Sequence, residues 1–236
     1  MSIVEDAGPG LSPGLIRWGG YGLMAAALAA AVWELVAPGA TAALAAILLG
    51  VASLGVSGSW PELFEVRGRY GRRGFNGLAL APGMLLAVSA LQVDLIDAAL
   101  PWIAAGAGAA AGLTLGLLQM RRPGVTSAFQ LVTVLALAWG AFGLGAFVVA
   151  NVRFDTAKAA IVETTLTGKY ASRGRSTSYH LQLPAWGPNA GPITASVPYN
   201  TYAALNPGDP VCILAHAGAL GAGWFEPRPC QGLVSA

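Results

Sequence analysis

The chain has 236 residues, of which 55% are hydrophobic and only 10% are charged, and its mean hydropathy is +0.61. Ordinary soluble domains carry about 25% charged residues, so this composition excludes a water-soluble globular protein and predicts an integral membrane protein. The formal net charge of only +2 gives no support for nucleic-acid binding.

Apolar stretches follow one another after a short N-terminal tail, residues 1–14. About 20 apolar residues cross a bilayer as an α-helix. The sequence therefore predicts five transmembrane spans, at about residues 15–36, 40–56, 77–93, 98–120 and 128–152. The first span is longer than the apolar core of a secretory signal peptide, about 7–15 residues, which favours an uncleaved helix. Together the spans form a helical domain over residues 15–152, with a cytoplasmic arginine-containing loop at residues 57–76.

Arginines are unevenly distributed between the two sides that five spans define. One side holds Arg17, Arg67, Arg69, Arg72, Arg73, Arg121 and Arg122. The short connections on the other side, at residues 38–40 and 94–97, contain no Lys or Arg. The positive-inside rule places the arginine side in the cytoplasm, so the N-terminus is predicted inside and residues 153–236 outside. Because alanine- and glycine-rich spans are typical of bacterial proteins, the predicted location is a bacterial cytoplasmic (inner) membrane with a periplasmic or extracellular C-terminal domain.

A pattern of period two begins after the fifth span. In residues 178–183, Tyr179, Leu181 and Leu183 lie on one face, and polar residues lie on the other. Residues 161–166 alternate in the same way, and the polar segment 171–176 is expected to connect these two strands as a hairpin. With further strands near residues 193–197, 211–216 and 224–225, the sequence predicts a small all-β extracytoplasmic domain of about five strands, a barrel or a sandwich.

Both cysteines, Cys212 and Cys230, lie in this predicted exported domain. An oxidising compartment allows them to pair, so the sequence predicts a disulfide. The alternative is that they are two small buried side chains.

Catalytic and metal-binding patterns are weak. Cys212 and His216 would share one face of a strand, but about 13 Å apart, which is too far for one metal ion. Ser176, His180 and Asp209 supply the residue types of a hydrolase triad, without a nucleophile motif around the serine. The sequence therefore predicts no catalytic, cofactor or metal site, and a protein that is not an enzyme.

Asp94 and Asp97 are the acidic residues between the third and fourth spans. Inside the bilayer they could bind a cation or relay protons, because ionisable residues within a membrane usually have a function. Their position between two spans and before Pro101 and Trp102 favours a loop at the interface instead. Glu34 lies near the same outer boundary.

Small residues on the fourth span predict close helix packing. Gly108, Gly112 and Gly116 recur at every fourth position, and close approach through glycine drives helix association in lipid. The partner could be another helix of the chain or a second subunit. Gly140 on the fifth span offers a complementary small surface.

Cationic residues at two places could contact partners. The arginines nearest the predicted inner membrane surface could bind anionic lipid headgroups or only determine the topology; they are Arg67, Arg69, Arg72, Arg73, Arg121 and Arg122. Arg173 and Arg175, at the tip of the predicted hairpin, could contact an acidic protein surface or headgroups, or only keep the turn solvated.

These observations favour a non-enzymatic accessory or scaffold protein whose exported β-domain contacts a partner at the outer face of the membrane. Its expected partners are membrane lipids and a protein, which would bind through that domain or the glycine-rich helix. The alternative is a small transporter or channel subunit that uses Asp94, Asp97 and the glycine-rich fourth helix.

Overall fold

The computed structural model describes residues 13–59, 65–67, 73–75, 81–120, 128–174, 177–187 and 191–230. The helices are α1 (Pro13–Val36), α2 (Ala40–Ser59), α3 (Ala81–Ala90), α4 (Ala99–Met120), α5 (Ala128–Arg153) and α6 (Tyr199–Ala204). The strands are β1 (Glu65–Arg67), β2 (Arg73–Phe75), β3 (Asp94–Leu95), β4 (Ala160–Thr165), β5 (Gly168–Arg173), β6 (Thr177–Leu183), β7 (Ile193–Val197), β8 (Pro210–His216) and β9 (Trp224–Pro229).

Three segments of the described helices are long and apolar enough to cross a membrane: Trp18–Val36, Ala99–Leu118 and Val132–Arg153. The segments Ala40–Val56 and Ala81–Ala90 are shorter apolar helices. The second of these, α3, has 10 residues. At 1.5 Å per residue it is about 15 Å long, roughly half of the hydrocarbon thickness. Three helices thus have the length and composition predicted for membrane spans. Within the described part of the span predicted at residues 77–93, the helix covers Ala81–Ala90.

Alanine, leucine and glycine dominate the helix contacts. The buried helical core consists of Ala30, Ala43, Ala46, Leu54, Leu86, Ala138, Phe142 and Val149. Because these side chains are mostly small, the helices can approach closely, and dispersion contacts between them replace contacts with lipid. At one end of the bundle, the C-terminal ends of α1, α3 and α5 lie around a common cleft.

The C-terminal region contains two antiparallel sheets, in the strand orders β3-β9-β8-β4 and β5-β6-β7. Their shared core consists of Leu166, Leu181, Leu183, Trp186, Ala195, Val197, Leu205, Val211, Ile213 and Phe225. The expected alternation is present in β6, where Leu181 and Leu183 are fully buried. The described strands do not close into a barrel, so that half of the prediction is wrong.

One predicted hairpin is also wrong. β4 pairs with β8, for example Glu163 opposite Cys212, and the hairpin partner of β6 is β5. Residues 171–173, which belong to the predicted connector 171–176, are instead the end of β5. Most of this strand is exposed, and it has no buried apolar face. A strand without a buried face shows no period-two pattern, which is why the sequence did not reveal it.

One strand of the four-stranded sheet comes from the helical part of the chain. β3 lies between α3 and α4 and pairs with β9, with Asp94 opposite Phe225 and Leu95 opposite Trp224. The next residue, Ile96, donates its backbone N–H to the Gly223 carbonyl at 2.8 Å and packs against the core of the sheets. The connection between two helices is therefore an integral part of the β region.

The predicted disulfide is confirmed: Cys212 in β8 is bonded to Cys230, which follows β9. Cys212 is fully buried, and the sequence separation of the two cysteines is 18. In the chain-entropy description, a loop of this length stabilises the fold by about 3 kcal/mol. The bond fixes the C-terminal end of β9 against its neighbour.

Candidate functional site

A cleft of about 380 Å³ lies where the helix ends meet the β sheets. Its charged lining residues are Glu34, Asp94, Arg153, Glu226 and Arg228. Its other lining residues are Leu35, Pro38, Ser89, Gln92, Val93, Val152, Ser196, Val197, Pro198, Trp224, Phe225 and Pro227. The helices supply one wall and the sheets the other, so the cleft exists only because the two parts of the chain pack together.

A buried ion pair joins two of the helices beside this cleft. Arg153, the last residue of α5, donates its Nε–H to Glu34 Oε1 on α1 at 2.7 Å. The Glu34 side chain is 0% exposed and that of Arg153 is 32% exposed. Glu34 Oε2 also accepts the backbone N–H of Gly39 at 3.3 Å, so both carboxylate oxygens are satisfied. The pair links the end of α1 to the end of α5 and gives a charged group at the boundary of an apolar bundle a partner.

Asp94 connects the two sheets. Its backbone lies in β3, and its Oδ2 accepts the backbone N–H of Ser196, on β7, at 3.0 Å. Burial raises the pKa of this carboxyl group to about 6, although the Ser196 hydrogen bond lowers it in part. The group therefore titrates much nearer to neutrality than an ordinary aspartate.

Asn151 fastens a loop of the β region to the end of α5. Its Oδ1 accepts the backbone N–H groups of Leu220 and Ala222, and its Nδ2 donates to the Ala222 carbonyl at 2.7 Å. Asn151 is fully buried. Gly218 in the same loop has φ +77°, and a Cβ at that position would collide with the Asn151 side chain. The loop thus needs glycine for both its conformation and its contact with α5.

Asp155 is a second polar anchor just beyond α5. Its Oδ2 accepts the backbone N–H of Gly218 at 2.9 Å and the Nε1–H of Trp224 at 3.2 Å, while its Oδ1 accepts the backbone N–H of Ala157. His216 Nδ1 lies 3.9 Å from the carboxylate and its ring stacks on Trp224. Burial alone would raise the pKa of Asp155, but these donors together hold it below its usual value.

The other residue of the predicted ion site, Asp97, lies outside the long helices. Asp97 precedes α4, and its Oδ1 accepts the backbone N–H of Ala99 at 2.8 Å, which caps the helix start. It is exposed and does not line the cleft. Asp94 and Asp97 are thus held by different partners.

The glycines of α4 face α5 of the same chain. A Cβ at Gly108 would meet the Trp139 carbonyl, at Gly112 the Leu135 carbonyl, and at Gly116 the Val132 Cα at 2.9 Å. Gly140 on α5 lies correspondingly against Ala105 and Ala109 of α4. This small-residue surface is therefore occupied within the chain.

The predicted cationic contact residues are only partly described. Arg173 is exposed at the end of β5, whereas Arg175 lies outside the described residues. Arg67 on β1 lies opposite Arg73 on β2 in the register of the two strands. The remaining arginines of this prediction lie outside the described part of the chain: Arg69, Arg72, Arg121 and Arg122.

No cluster of three or more His, Cys, Asp or Glu residues suited to a metal ion occurs within the described ranges. His180 stacks on Tyr170 with ring centroids 4.9 Å apart, and Cys212 is in the disulfide. The cleft is lined by hydrogen-bond donors and by carboxylates, which suits the noncovalent binding of a polar ligand.

Sequence reasoning missed the Glu34–Arg153 pair and the role of Asn151. The available signal was weak but present: Asn151, Arg153 and Asp155 are polar residues at the end of a long apolar helix. Such residues mark a boundary at which the chain leaves lipid. Their partners come from distant positions, 119 residues away for Arg153 and 71 for the Ala222 carbonyl, so spacing could not reveal them.

Compared with known proteins, the chain matches no family model, and neither a curated protein nor a solved structure is significantly similar to it.

Proposed function

We propose that the chain is a non-enzymatic accessory or scaffold protein of a bacterial cytoplasmic membrane. In this proposal it crosses the bilayer five times, with the N-terminus in the cytoplasm, and it presents the β sheets outside the cytoplasm to a partner protein. The disulfide is consistent with an oxidising compartment for this region.

The observation that carries the proposal is the sheet shared by both parts of the chain. Because β3 belongs to the connection between α3 and α4 and pairs with β9, the sheets are held to the helix ends rather than tethered by a linker. The Asn151 hydrogen bonds fix a second point. A surface held in one orientation loses little conformational entropy on binding, which favours a docking or scaffold role.

The positions of the helix ends support an odd number of crossings. The C-terminal ends of α1, α3 and α5 lie at the same end of the bundle as the β sheets. Trp33 and Trp102, which are 51% and 65% exposed, lie near this end, and Trp18 and Phe129, 77% and 83% exposed, lie near the opposite ends of their helices. Exposed aromatic side chains concentrate at the two membrane interfaces, so this distribution fits helices that span a bilayer.

The hairpin of β5 and β6 is the surface we assign to the partner. Tyr170 is 43% exposed and stacks on His180 of the neighbouring strand β6. Arg173 is exposed at the end of the same strand β5, opposite Thr177. Aromatic residues and arginine are enriched in protein interfaces, and arginine favours carboxylates, so the expected partner is a protein with an acidic surface.

A transporter or channel subunit receives less support from the same geometry. That function would need Asp94 and Asp97 along a path through the helices, with α4 free to associate. Asp94 instead bonds Ser196 in the β region, Asp97 caps α4, and Gly112 packs against α5.

Reporter fusions test the topology. A reporter active only outside the cytoplasm should work after Ala236, and a cytoplasmic reporter should work within residues 67–73. The reverse pattern would refute the five-span arrangement.

Site-specific photo-crosslinking tests the partner surface in the intact membrane. A photoreactive residue replacing Tyr170 should crosslink to one defined protein, whereas the same residue replacing Glu163, exposed on β4, should not. Replacing Arg173 and Arg175 with Glu should weaken the Tyr170 crosslink without changing expression. Equal crosslinking from both positions would mean that the hairpin is not the docking surface.

A further inference from the structure

We propose that the cleft between the helix ends and the β sheets binds the headgroup of a zwitterionic phospholipid that carries a phosphate and a primary ammonium group, as in phosphoethanolamine. The inference requires that the helices span a bilayer, but it does not require the partner protein or the orientation proposed above.

The depth of the cleft matches the headgroup region. Leu35, Val93 and Val152, at or just after the C-terminal ends of three helices, contribute to its lining. Ends of membrane-spanning helices lie where hydrocarbon gives way to polar headgroups. Next to the cleft along the chain, Val36 and Leu91 are 77% and 75% exposed, which provides apolar surface for the acyl chains of the same lipid.

The helical wall supplies hydrogen-bond donors for a phosphate. Arg153 uses only its Nε–H for Glu34, and its two terminal amino groups have no partner among the described residues. The buried Ser89 Oγ, which also has no hydrogen-bond partner in that part of the chain, lies on the same cleft. A guanidinium fork binds phosphate oxygens in a bidentate manner, so the terminal amino groups of Arg153 are the phosphate subsite of this cleft, which Ser89 and Gln92 also line.

Asp94 supplies the complementary subsite. Its Oδ2 is occupied by the Ser196 N–H, but no described residue donates a hydrogen bond to its Oδ1. Among the described residues, this partly buried carboxylate has no cationic partner, and burial raises its pKa. The other charges in the cleft, Glu226 and Arg228, bond each other through two hydrogen bonds of 2.9 Å. An ammonium group is therefore the ligand that Asp94 favours.

Lipid selectivity of the full-length protein in detergent tests this assignment. Native mass spectrometry would measure the affinities of dioctanoyl phosphatidylethanolamine, phosphatidylglycerol and phosphatidylcholine. We expect phosphatidylethanolamine to bind about fivefold more tightly than the others, the scale of one solvent-accessible ion pair. Equal affinities of the three lipids for the wild-type protein would overturn the proposal.

Variants assign the two subsites. Asp94→Asn should remove the preference for phosphatidylethanolamine and leave phosphatidylglycerol binding intact. Arg153→Met alone would leave Glu34 buried and unpaired, so the double variant Glu34→Gln/Arg153→Met is used. We expect this double variant to bind each of the three lipids about fivefold more weakly than the wild type. The exposed controls Glu163→Gln and Lys158→Met should bind like the wild type. An undiminished preference in Asp94→Asn would refute the ammonium subsite, and unchanged binding in the double variant would refute the phosphate subsite.

A soluble competitor separates a lipid from a free metabolite with the same chemistry. O-phosphoethanolamine, which has the headgroup without the acyl chains, should displace the lipid only at concentrations at least a hundredfold higher, because it lacks the apolar contacts. Displacement at equal concentration would overturn the assignment to a lipid.

Discussion

The side chain of Asn151, on α5, makes three hydrogen bonds to a loop of the β region. Replacing Asn151 with alanine leaves two N–H groups and one carbonyl of the loop without their partner; the Ala222 groups are buried and the Leu220 N–H is partly buried. Each such group costs about 1–3 kcal/mol, although water can recover part of that cost. We expect Asn151→Ala to lower the free energy of unfolding by about 3 kcal/mol, as measured by thermal or denaturant unfolding in detergent.

The matched control for this change is Asn200→Ala. Asn200 is exposed on α6, and its replacement should change the stability by no more than about 0.5 kcal/mol. Equal effects of the two substitutions would show that the Asn151 hydrogen bonds contribute no net stability.

Asp94 should make stability depend on pH between its ordinary and its folded-state pKa. Because the folded-state pKa is raised from 3.8 to about 6, the folded protein binds more protons than the unfolded chain in this interval. The contribution of Asp94 to stability therefore falls as the pH rises from 3.8 to about 6, and it changes little above that. We expect the melting temperature of the wild type, measured relative to that of Asp94→Asn, to decrease across this window.

The control for loss of a negative charge is Glu163→Gln, an exposed residue on β4. Its melting temperature relative to the wild type should not reproduce the Asp94 profile. A pH-independent difference between the wild type and Asp94→Asn would mean that the Asp94 carboxyl group is not held in a partly buried environment.

At the level of elements, the contact between α4 and α5 depends on the absence of side chains. Gly112 is buried, and a Cβ there would collide with the Leu135 carbonyl, which is backbone and cannot move without the helix. We expect Gly112→Ala to separate the helices locally and to lower the free energy of unfolding by about 2 kcal/mol, measured by denaturant titration in mixed micelles.

Gly106→Ala provides a control on the same helix with the same added methyl group. No atom of the described residues lies within 4 Å of a Cβ at Gly106, so the stability of the Gly106→Ala variant should remain within about 0.5 kcal/mol of the wild type. If Gly112→Ala were equally harmless, the two helices would not be in the close contact that the glycines indicate.

On the scale of the whole molecule, the β region should not be an independent folding unit. A fragment of residues 156–236 lacks β3, Ile96 and Asn151, so one edge of its four-stranded sheet and part of its core lose their partners. We expect this fragment to unfold at a clearly lower temperature than the same region within the full chain, measured by circular dichroism with the disulfide intact.

Adding residues 91–98 through a flexible linker should recover part of this loss, since the added segment can pair with β9. A linker of the same length without these residues is the control. Equal melting temperatures for the isolated fragment and the intact protein would show that the shared strand contributes nothing to stability.

The sequence alone was sufficient for the features that depend on local composition and period. Long apolar segments such as Trp18–Val36 and Val132–Arg153 predict membrane helices because the hydrocarbon core sets both their length and their polarity. The alternation of Leu181 and Leu183 likewise predicts β6, since a strand with one buried face must alternate. The disulfide could be predicted because both cysteines lie in the part of the chain that is predicted to be exported.

The tertiary structure alone decided the features that depend on contacts between distant residues. Three such contacts join segments that are far apart in the chain: the pairing of β4 with β8, the pairing of β3 with β9, and the bond between Arg153 and Glu34. Local patterns report which face of an element is buried, but they do not identify the element that covers it. The cleft was unpredictable for the same reason, because its walls come from the ends of helices and from strands that meet only in the folded protein.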